Sequence, residues 1–495
     1  MAGGTVVGLD VGSQLIKVVE LRRTGSSVEV TALDLAPTPQ EAIDNGLIID
    51  AQLLGKAVKD LLSRAHITAK KCVSSVSGQS AVVVRVLEIP QVSESELGNQ
   101  MQFEAERQVP FSLTESIMDF CPIPRPEGYA EGAMMEVLLA VAQSDLVDKH
   151  VEMLFAAGLK PDAIDVEPIA VGRALLEVGQ SPNTPGYTVA IINLGASNTD
   201  ISIFRDKLLS FPRTIPMAGD QLTRAIAEYM QVDMVTAEQY KREHGEVLMG
   251  QLVAPATFTG QTDVGMTGGG FHDFGTSEIA TPSAHMPFDF STPGATPTFA
   301  TEEQSAFTVP GAAPQASPFD FSAQSGTTDQ GTGTAETGFG TAETAFGSGD
   351  SSAFTTMEVV PTQWVPSTGE MTSSTGVVNA DDALKVQIFN CIAPVLAELV
   401  QEIRRSLDYY RGRNSEARID EILLTGGSSN VKNLAPFIEQ ELGIPTRVAN
   451  PLQGLNVTSK NYSPDHLAQI GSLFPVCIGL GARDLMANSG GKKRR

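Results

Sequence analysis

Short apolar runs closed by glycine turns open the chain. Residues 5–11 (Thr-Val-Val-Gly-Leu-Asp-Val) predict a buried strand, Gly12-Ser13-Gln14 a turn, and residues 16–22 the returning strand, with a third strand at about 28–35. The period then changes. Leu53, Leu54, Ala57, Leu61 and Leu62 recur at helical spacing over 50–66, behind Asp50 as N-cap. Strands at 73–77 and 82–89 follow, then a helix from Ser93-Glu94-Ser95-Glu96 to about Gln108. A strand at 137–143 leads into a helix from Ser144 to about Ala157, stopped by Gly158, and a strand at 163–166 precedes a helix over about 168–176.

The opening pattern then restarts. Residues 187–193 predict a strand, Gly195-Ala196-Ser197 a turn, 200–204 the return, and 208–212 a third strand behind an Asp206-Lys207 hairpin. Helices follow at 221–230, after Gly219-Asp220, and from Thr236 as cap to about 244. Strand, glycine turn and strand at both 5–22 and 187–212 make a weak internal repeat and predict two related α/β lobes. Residues 249–380 break the pattern. They are rich in Gly, Ser, Thr, Ala, Pro and Phe and predict a disordered insert, which buries too little surface to offset its ordering entropy. Within it Pro287-Phe288-Asp289-Phe290-Ser291 recurs at 318–322, and 333–339 recurs in kind at 340–346. These repeats read either as a low-complexity spacer or as aromatic stickers for a partner. Beyond them the spacing predicts a helix over about 382–412 interrupted near Pro394, a strand at 419–424, a helix at 431–442, a short strand at Arg447-Val448 and a helix at 475–486.

Charge sharpens this division. The formal net charge is -24, and residues 251–380 hold thirteen Asp and Glu with no Lys or Arg. Such a balance argues against non-specific nucleic-acid binding, which needs a basic surface. Hydrophobic residues at 42% of 495 supply enough apolar material for more than one core. Cys72, Cys121, Cys391 and Cys477 form no close pair, which predicts buried thiols in a reducing compartment rather than a zinc site. No basic-then-apolar leader follows Met1 and no run of about 18 apolar residues stands out, so neither a signal peptide nor a membrane span is expected. The basic tail, 488–495, reads as a solvated end, with weak attraction to anionic lipid as the sharper alternative.

Three segments carry candidate chemistry. In Gly8-Leu9-Asp10-Val11-Gly12-Ser13-Gln14 a strand ends in a carboxylate and a tight turn. Backbone N–H groups and small hydroxyls of such a turn cradle phosphate, glycine permits the close approach, and Asp10 can hold Mg²⁺ directly or through water. A single copy reads more readily as a structural hairpin. Asn193-Leu194-Gly195-Ala196-Ser197-Asn198-Thr199-Asp200 repeats the design, and one copy per lobe favours a pincer around a polyphosphate over two accidents. Leu423-Leu424-Thr425-Gly426-Gly427-Ser428-Ser429-Asn430 leads a buried strand into Gly-Gly at a helix start, which suits a flat base or a phosphate, or else a plain β–α turn.

In this order the three segments resemble the first phosphate loop, second phosphate loop and adenosine motif of the actin/Hsp70/sugar-kinase superfamily. Asp165-Val166-Glu167-Pro168-Ile169-Ala170-Val171-Gly172 resembles its first connecting helix and Cys477-Ile478-Gly479-Leu480-Gly481-Ala482 its second. Ala237-Glu238-Gln239-Tyr240-Lys241 is similar to its Ala-Glu-x-x-Lys element, whose Glu reaches the ribose and whose Lys packs by the base. The resemblance implies an α/β, two-lobed actin-like ATPase fold with ribonuclease H-like lobes and a site for ATP and Mg²⁺. That site would use Asp10, Gly12, Ser13, Gln14 and Lys17 from the first loop, and Asn193, Gly195, Ala196, Ser197 and Asn198 from the second. Gly219, Glu238, Lys241, Gly426, Gly427 and Ser428 would complete it. Asp10 would hold the metal. Glu167 would orient a hydrolytic water, its plainer alternative being a polar helix-start residue. Asn193 stands where many members have Asp, which implies weak hydrolysis with ATP binding retained.

Gly8 to Glu20, Phe103 to Phe111, Gly158-Leu159-Lys160-Pro161 and Glu402 to Tyr410 are similar to segments of the PilM family of type IV pilus assembly proteins. This implies a first lobe at 1–79 and 156–185, an inserted FtsA/PilM-type subdomain at 80–155, and a second lobe at 186–248 and 381–487. It further implies a cytoplasmic ATP-binding adaptor, peripheral to the inner membrane, that captures the N-terminal segment of a PilN-like membrane protein. The capture would fall near the inserted subdomain, on the helix with Glu104 and Arg107, and would link to pilus motor ATPases and a platform protein, with a homo-oligomer compatible. The alternative is a filament-forming FtsA-like ATPase, which the polar, basic residues after Leu485-Met486 disfavour. A small-molecule kinase would need a cleft base that does not stand out, and an Hsp70-type chaperone a β-rich domain after the second connecting helix.

Overall fold

The computed structural model describes residues 4–249 and 380–487, apart from 26, 45, 79–80, 125–133, 180–181, 183, 414–417 and 460. The expected disordered insert and the basic tail lie outside the described residues.

Strands β1 (Thr5–Val11), β2 (Leu15–Thr24) and β3 (Ser27–Pro37) form an antiparallel meander closed by short polar turns. A small hairpin, β4 (Ile43–Asp44) and β5 (Leu47–Ile48), leads to α1 (Ala51–Arg64), where the Asp50 carboxylate accepts from the Leu53 N–H as the predicted cap. The chain then runs through β6 (Lys71–Val76), β7 (Val82–Pro90), α2 (Glu94–Gln108), β8 (Ser116–Pro122), β9 (Met134–Gln143), α3 (Ser144–Ala156), β10 (Lys160–Val166) and α4 (Glu167–Gly172). Strands β6 and β10 extend the meander in parallel from β1. Strands β7, β9 and β8 form a separate three-stranded sheet, on which α2 packs Leu97, Met101 and Ala105 around Ile89, Val137, Leu139 and Val141.

The second round repeats the first. Strands β11 (Thr188–Leu194), β12 (Thr199–Arg205) and β13 (Leu208–Ile215) form a second meander. After α5 (Gly219–Met230), α6 (Met234–His244) and α7 (Ala380–Arg413), β14 (Glu421–Thr425), α8 (Leu434–Leu442) and β15 (Thr446–Val448) follow, and β11 is extended in parallel by β14 and β15. Orders β10-β6-β1-β2-β3 and β15-β14-β11-β12-β13 are one topology used twice. The weak repeat in the sequence is therefore a real duplication of architecture. The chain ends through β16 (Asn456–Val457), which pairs with β3, then α9 (Pro464–Ile470) and α10 (Pro475–Ala487).

Three apolar layers hold this together. Helices α1 and α3 cover one face of the first sheet, and α5, α7 and α8 one face of the second. Between the sheets, α4 and α10 sit in a shared core with Val19 and Leu21 on one side and Ile191, Phe204 and Leu423 on the other. Two glycines permit this close packing, Gly479 where α10 crosses α4 and Gly8 where β1 meets α10. A Cβ on Gly479 would lie 1.7 Å from the Ala170 carbonyl oxygen, and one on Gly8 would lie 1.9 Å from that of Cys477. Arg173 pins the crossing by bonding the Gly479 carbonyl at 2.8 Å and the Asp165 carboxylate at 3.1 Å.

Several local expectations change. Helix α7 runs unbroken through Pro394, because Pro394 and Asn390, whose carbonyl loses its partner, both face solvent. By length and apolarity α7 could cross a membrane, yet Ile388, Ile392, Leu396, Leu399, Ile403 and Leu407 are buried in the second lobe. Asp233, not Thr236, caps α6, accepting from the N–H groups of Val235 and Thr236. Strand β8 was not predicted, and Cys121 on it is exposed, whereas the other three thiols are buried.

Candidate functional site

The loops that join β1 to β2 and β11 to β12 face each other across a cleft of about 490 Å³. Asp10, Gly12, Ser13, Gln14, Lys17, Glu167, Asn193, Gly195, Ala196, Ser197, Asn198, Glu238, Lys241, Gly426, Gly427 and Ser428 all line it. Gly219 stands behind it, with its carbonyl accepting from Lys241 Nζ at 3.0 Å and its N–H donating to the Gly195 carbonyl at 3.2 Å. The structure therefore brings every expected site residue to one place.

The equivalence of the two turns explains the geometry. In each, a β-meander reverses at its open end, Val11 against Ile16 and Leu194 against Thr199, so both turns project from their sheets toward the same gap. The turns nearly touch, with the hydroxyls of Ser13 and Ser197 3.4 Å apart. Beside them Gln14 Nε2 donates to Asp220 Oδ1 at 3.4 Å. The Gly-Gly turn after β14 closes the third side. A Cβ on Gly426, at φ 86°, would lie 2.4 Å from the Leu194 carbonyl oxygen, and Ser428 donates to the Gly195 carbonyl at 2.8 Å.

On the wall formed by α5 and α6, Glu238 Oε2 accepts from Thr223 and Lys241, both at 2.6 Å, while Oε1 accepts from Arg242 at 2.8 Å. Burial alone would raise the Glu238 carboxyl, but these donors hold it below its ordinary value. At the opposite edge Tyr462 and His466 stack at 5.0 Å, and the Tyr462 hydroxyl donates to Asp34 at 2.5 Å.

Four titratable groups make the floor. Lys17 Nζ sits 2.5 Å from Asp10 Oδ2. Burial lowers the affinity of the Lys17 ammonium for its proton, but the Asp10 charge outweighs it and holds the pKa above its ordinary value. Burial raises Glu167, and the negative charges of Asp200 and Asp10 raise it further. Burial also raises Asp200, against hydrogen bonds from Thr214 (2.6 Å) and Asn193. A protonated carboxyl beside an ionised one is able to hold or pass a proton, which is the chemistry of orienting a water.

Asp200, Thr214 and Ser77 are floor residues that the sequence reasoning did not select. Asp200 closes the second-loop motif and was within reach, whereas Ser77 and Thr214 arrive only by packing. Asp10, the expected metal contact, lies on the cleft floor with its carboxylate held by Lys17. A Mg²⁺ that rides on a nucleotide's phosphates would need only one such carboxylate, met directly or through water.

Comparison with known proteins agrees with this geometry. The family model for the type IV pilus assembly protein PilM matches residues 8–251, and that for the cell division protein FtsA matches residues 190–471. FtsA of Streptococcus pneumoniae is 24% identical over 49% of this chain and 56% of its own length, and FtsA of Bacillus subtilis is 23% identical over 48% and 58%. The chain thus spans little more than half the length of these relatives. A solved PilM-PilN type IV pilus biogenesis complex superposes with a TM-score of 0.63 over 97% of this chain and 98% of that one, at 22% identity. Two glycine-turn lobes around one cleft, matched over residues 8–251 by the one family model and 190–471 by the other, place the chain in the actin-like ATPase family, in the branch that holds PilM and FtsA.

Proposed function

We propose that this protein is a cytoplasmic, ATP-binding adaptor of a type IV pilus inner-membrane assembly complex, and that it captures the N-terminal segment of a PilN-like membrane protein. ATP occupies the interlobe cleft, with its phosphates between the Ser13 and Ser197 turns and its base against Gly426-Gly427. Any Mg²⁺ rides on the phosphates and meets Asp10 through water. Asn193 leaves the floor one carboxylate short for fast hydrolysis, so the site holds ATP longer than it turns it over. Pilus motor ATPases and a platform protein are the next links outward.

One observation carries the adaptor reading. A second cavity of about 500 Å³ shares Ser77, Gly78, Glu167, Asp200 and Thr214 with the cleft, so the two spaces have a common wall. Its other walls are β7 and β13, which are edge strands of two different sheets. Facing edges present unpaired backbone groups, and an extended peptide adds to such an edge as a further strand. Glu398 and Glu402 line the space against Arg85 and Arg213, and Arg213 is already bonded to Ser406 and Glu402 at 2.9 and 3.2 Å. With Arg213 engaged by Glu402, Glu398 is the acid placed to meet a basic side chain on the peptide.

Calorimetric titration with the N-terminal PilN peptide of the same genome tests this, with and without ATP. Binding that is weakened by Glu398→Arg and altered by ATP supports the groove. Loss on Arg107→Glu instead would move the docking to the exposed face of α2, where Arg107 lies over the Phe103 ring. No peptide binding by the wild type would overturn the adaptor. An FtsA-like filament is the second reading, favoured by the exposed Tyr229, Met234 and Val235 at the α5–α6 corner; ATP-dependent sedimentation would reveal it.

A further inference from the structure

We infer that the His466 ring is the stacking surface for the nucleobase, on an apolar strip that α9 lays along the cleft. The inference rests on the nucleotide-binding reading of the cleft and names the side chain that holds the face of the base.

Tyr462, His466, Ile470 and Leu473 stand four, four and three residues apart, and all of them line the cleft. This spacing puts them along one side of α9 and the short turn after it. The strip has no Lys, Arg, Asp or Glu, so it suits a flat apolar group better than a phosphate. One end of it is fastened to the Gly-Gly turn. The Ser472 carbonyl accepts from the Gly426 N–H at 2.9 Å and from Thr425 Oγ1 at 2.8 Å, and a Cβ on Gly427 would lie 3.6 Å from Leu473 Cδ2. A base seated against Gly426-Gly427 therefore borders this strip. The glycines offer it backbone alone, whereas stacking needs a ring.

His466 is that ring, and it is held ready. It lies nearly flat on Tyr462, at 5.0 Å and 15°. Tyr462 is fixed in turn, its hydroxyl donating to Asp34, which also accepts from Arg64 at 2.7 Å. Ser463 caps the helix below, its hydroxyl accepting from the His466 N–H at 3.3 Å. The His466 side chain is exposed, and among the described residues neither ring nitrogen has a hydrogen-bond partner. A ring so ordered, with its edge unengaged, loses little freedom when a base settles on it.

The test is calorimetry of the full chain in Mg²⁺ buffer with two probes, ATP and inorganic tripolyphosphate, which has the phosphates and no base. His466→Ala is expected to lose about five- to a hundredfold in ATP affinity and to keep its tripolyphosphate affinity within about twofold. His466→Phe keeps a flat ring without the imidazole nitrogens, and it is expected to hold ATP within about threefold of wild type. Both variants should melt with the wild type, because the side chain is exposed.

Unchanged ATP affinity in His466→Ala would overturn the inference and leave the nucleotide reading standing. Equal loss for the two probes would do the same, since it marks a general change in the cleft. So would His466→Phe binding ATP as weakly as His466→Ala. No ATP binding by the wild type would overturn both.

Discussion

Glu167→Gln is expected to stabilise the nucleotide-free protein at neutral pH. Burial, then Asp200 and Asp10, raise the Glu167 carboxyl from 4.5 to about 8, while Ser77 and Lys17 pull the other way. At pH 7 the folded protein therefore keeps a proton that the unfolded chain has lost. The sign follows: the stability contributed by this group is full below about 4.5 and is lost as pH rises toward about 8. From 4.5 to 7, at about 1.4 kcal/mol per pH unit, the ceiling is about 3 kcal/mol. Water reaches the cleft floor and the proton is shared with Asp200, so the expected gain is about 1–2 kcal/mol. Glutamine keeps the shape of the protonated acid and titrates in neither state. Urea unfolding of both proteins from pH 4.5 to 8 checks this. The stability gap should be near zero at the acid end and widen toward neutral pH. A gap independent of pH, or a variant less stable at pH 7, would refute the account of the floor.

Gly479→Val should lose about 4 kcal/mol or fail to fold, since its Cβ would overlap the Ala170 carbonyl at the helix crossing; thermal melting and soluble yield report it. Asp34→Asn should cost about 1–3 kcal/mol, because Arg64 and Tyr462 both bond that buried carboxylate. Burial would raise Asp34, but those donors hold it below 3.8, so its contribution is present above that pH and fades as pH falls, and the melting curves of wild type and variant should converge in acid. Asp233→Ala should remove about 1 kcal/mol by uncapping α6, read by denaturant midpoint, and should leave ATP affinity within about twofold.

Turn chemistry was the most legible feature of the sequence. Apolar runs ending in Gly12 and Gly195 marked both meanders and both turns that face the cleft, because the turn and its strands are local in the chain. Glu238 and Lys241 were reached through resemblance to a family element, and they stand three apart on α6. What packing assembles was not legible. Ser77 and Thr214 reach the floor from different sheets, and the groove between β7 and β13 exists only because two edges happen to face each other. Strand β8 was missed because its burial alternates only weakly, from intermediate to exposed. The break expected at Pro394 does not occur because the carbonyl that the proline leaves unpaired lies on the wet face, where water replaces the lost hydrogen bond.

The two-residue β16 has a mechanical consequence. It leaves the second sheet after β15 and joins β3 of the first, with the Thr458 N–H donating to the Val30 carbonyl at 2.9 Å and Asn456 Nδ2 to Glu29 at 3.2 Å. Besides the two crossing helices and the polar contacts of Ser13, Gln14 and Tyr462, the two sheets are thus joined by a clip only two residues long. So short a ladder opens far more cheaply than the sheets it connects. Widening the cleft to admit or release a ligand would strip this clip while both meanders stay whole. The Thr458 amide would then exchange its hydrogen in proportion to the time the clip spends open, which makes it a gauge of separation between the two sheets.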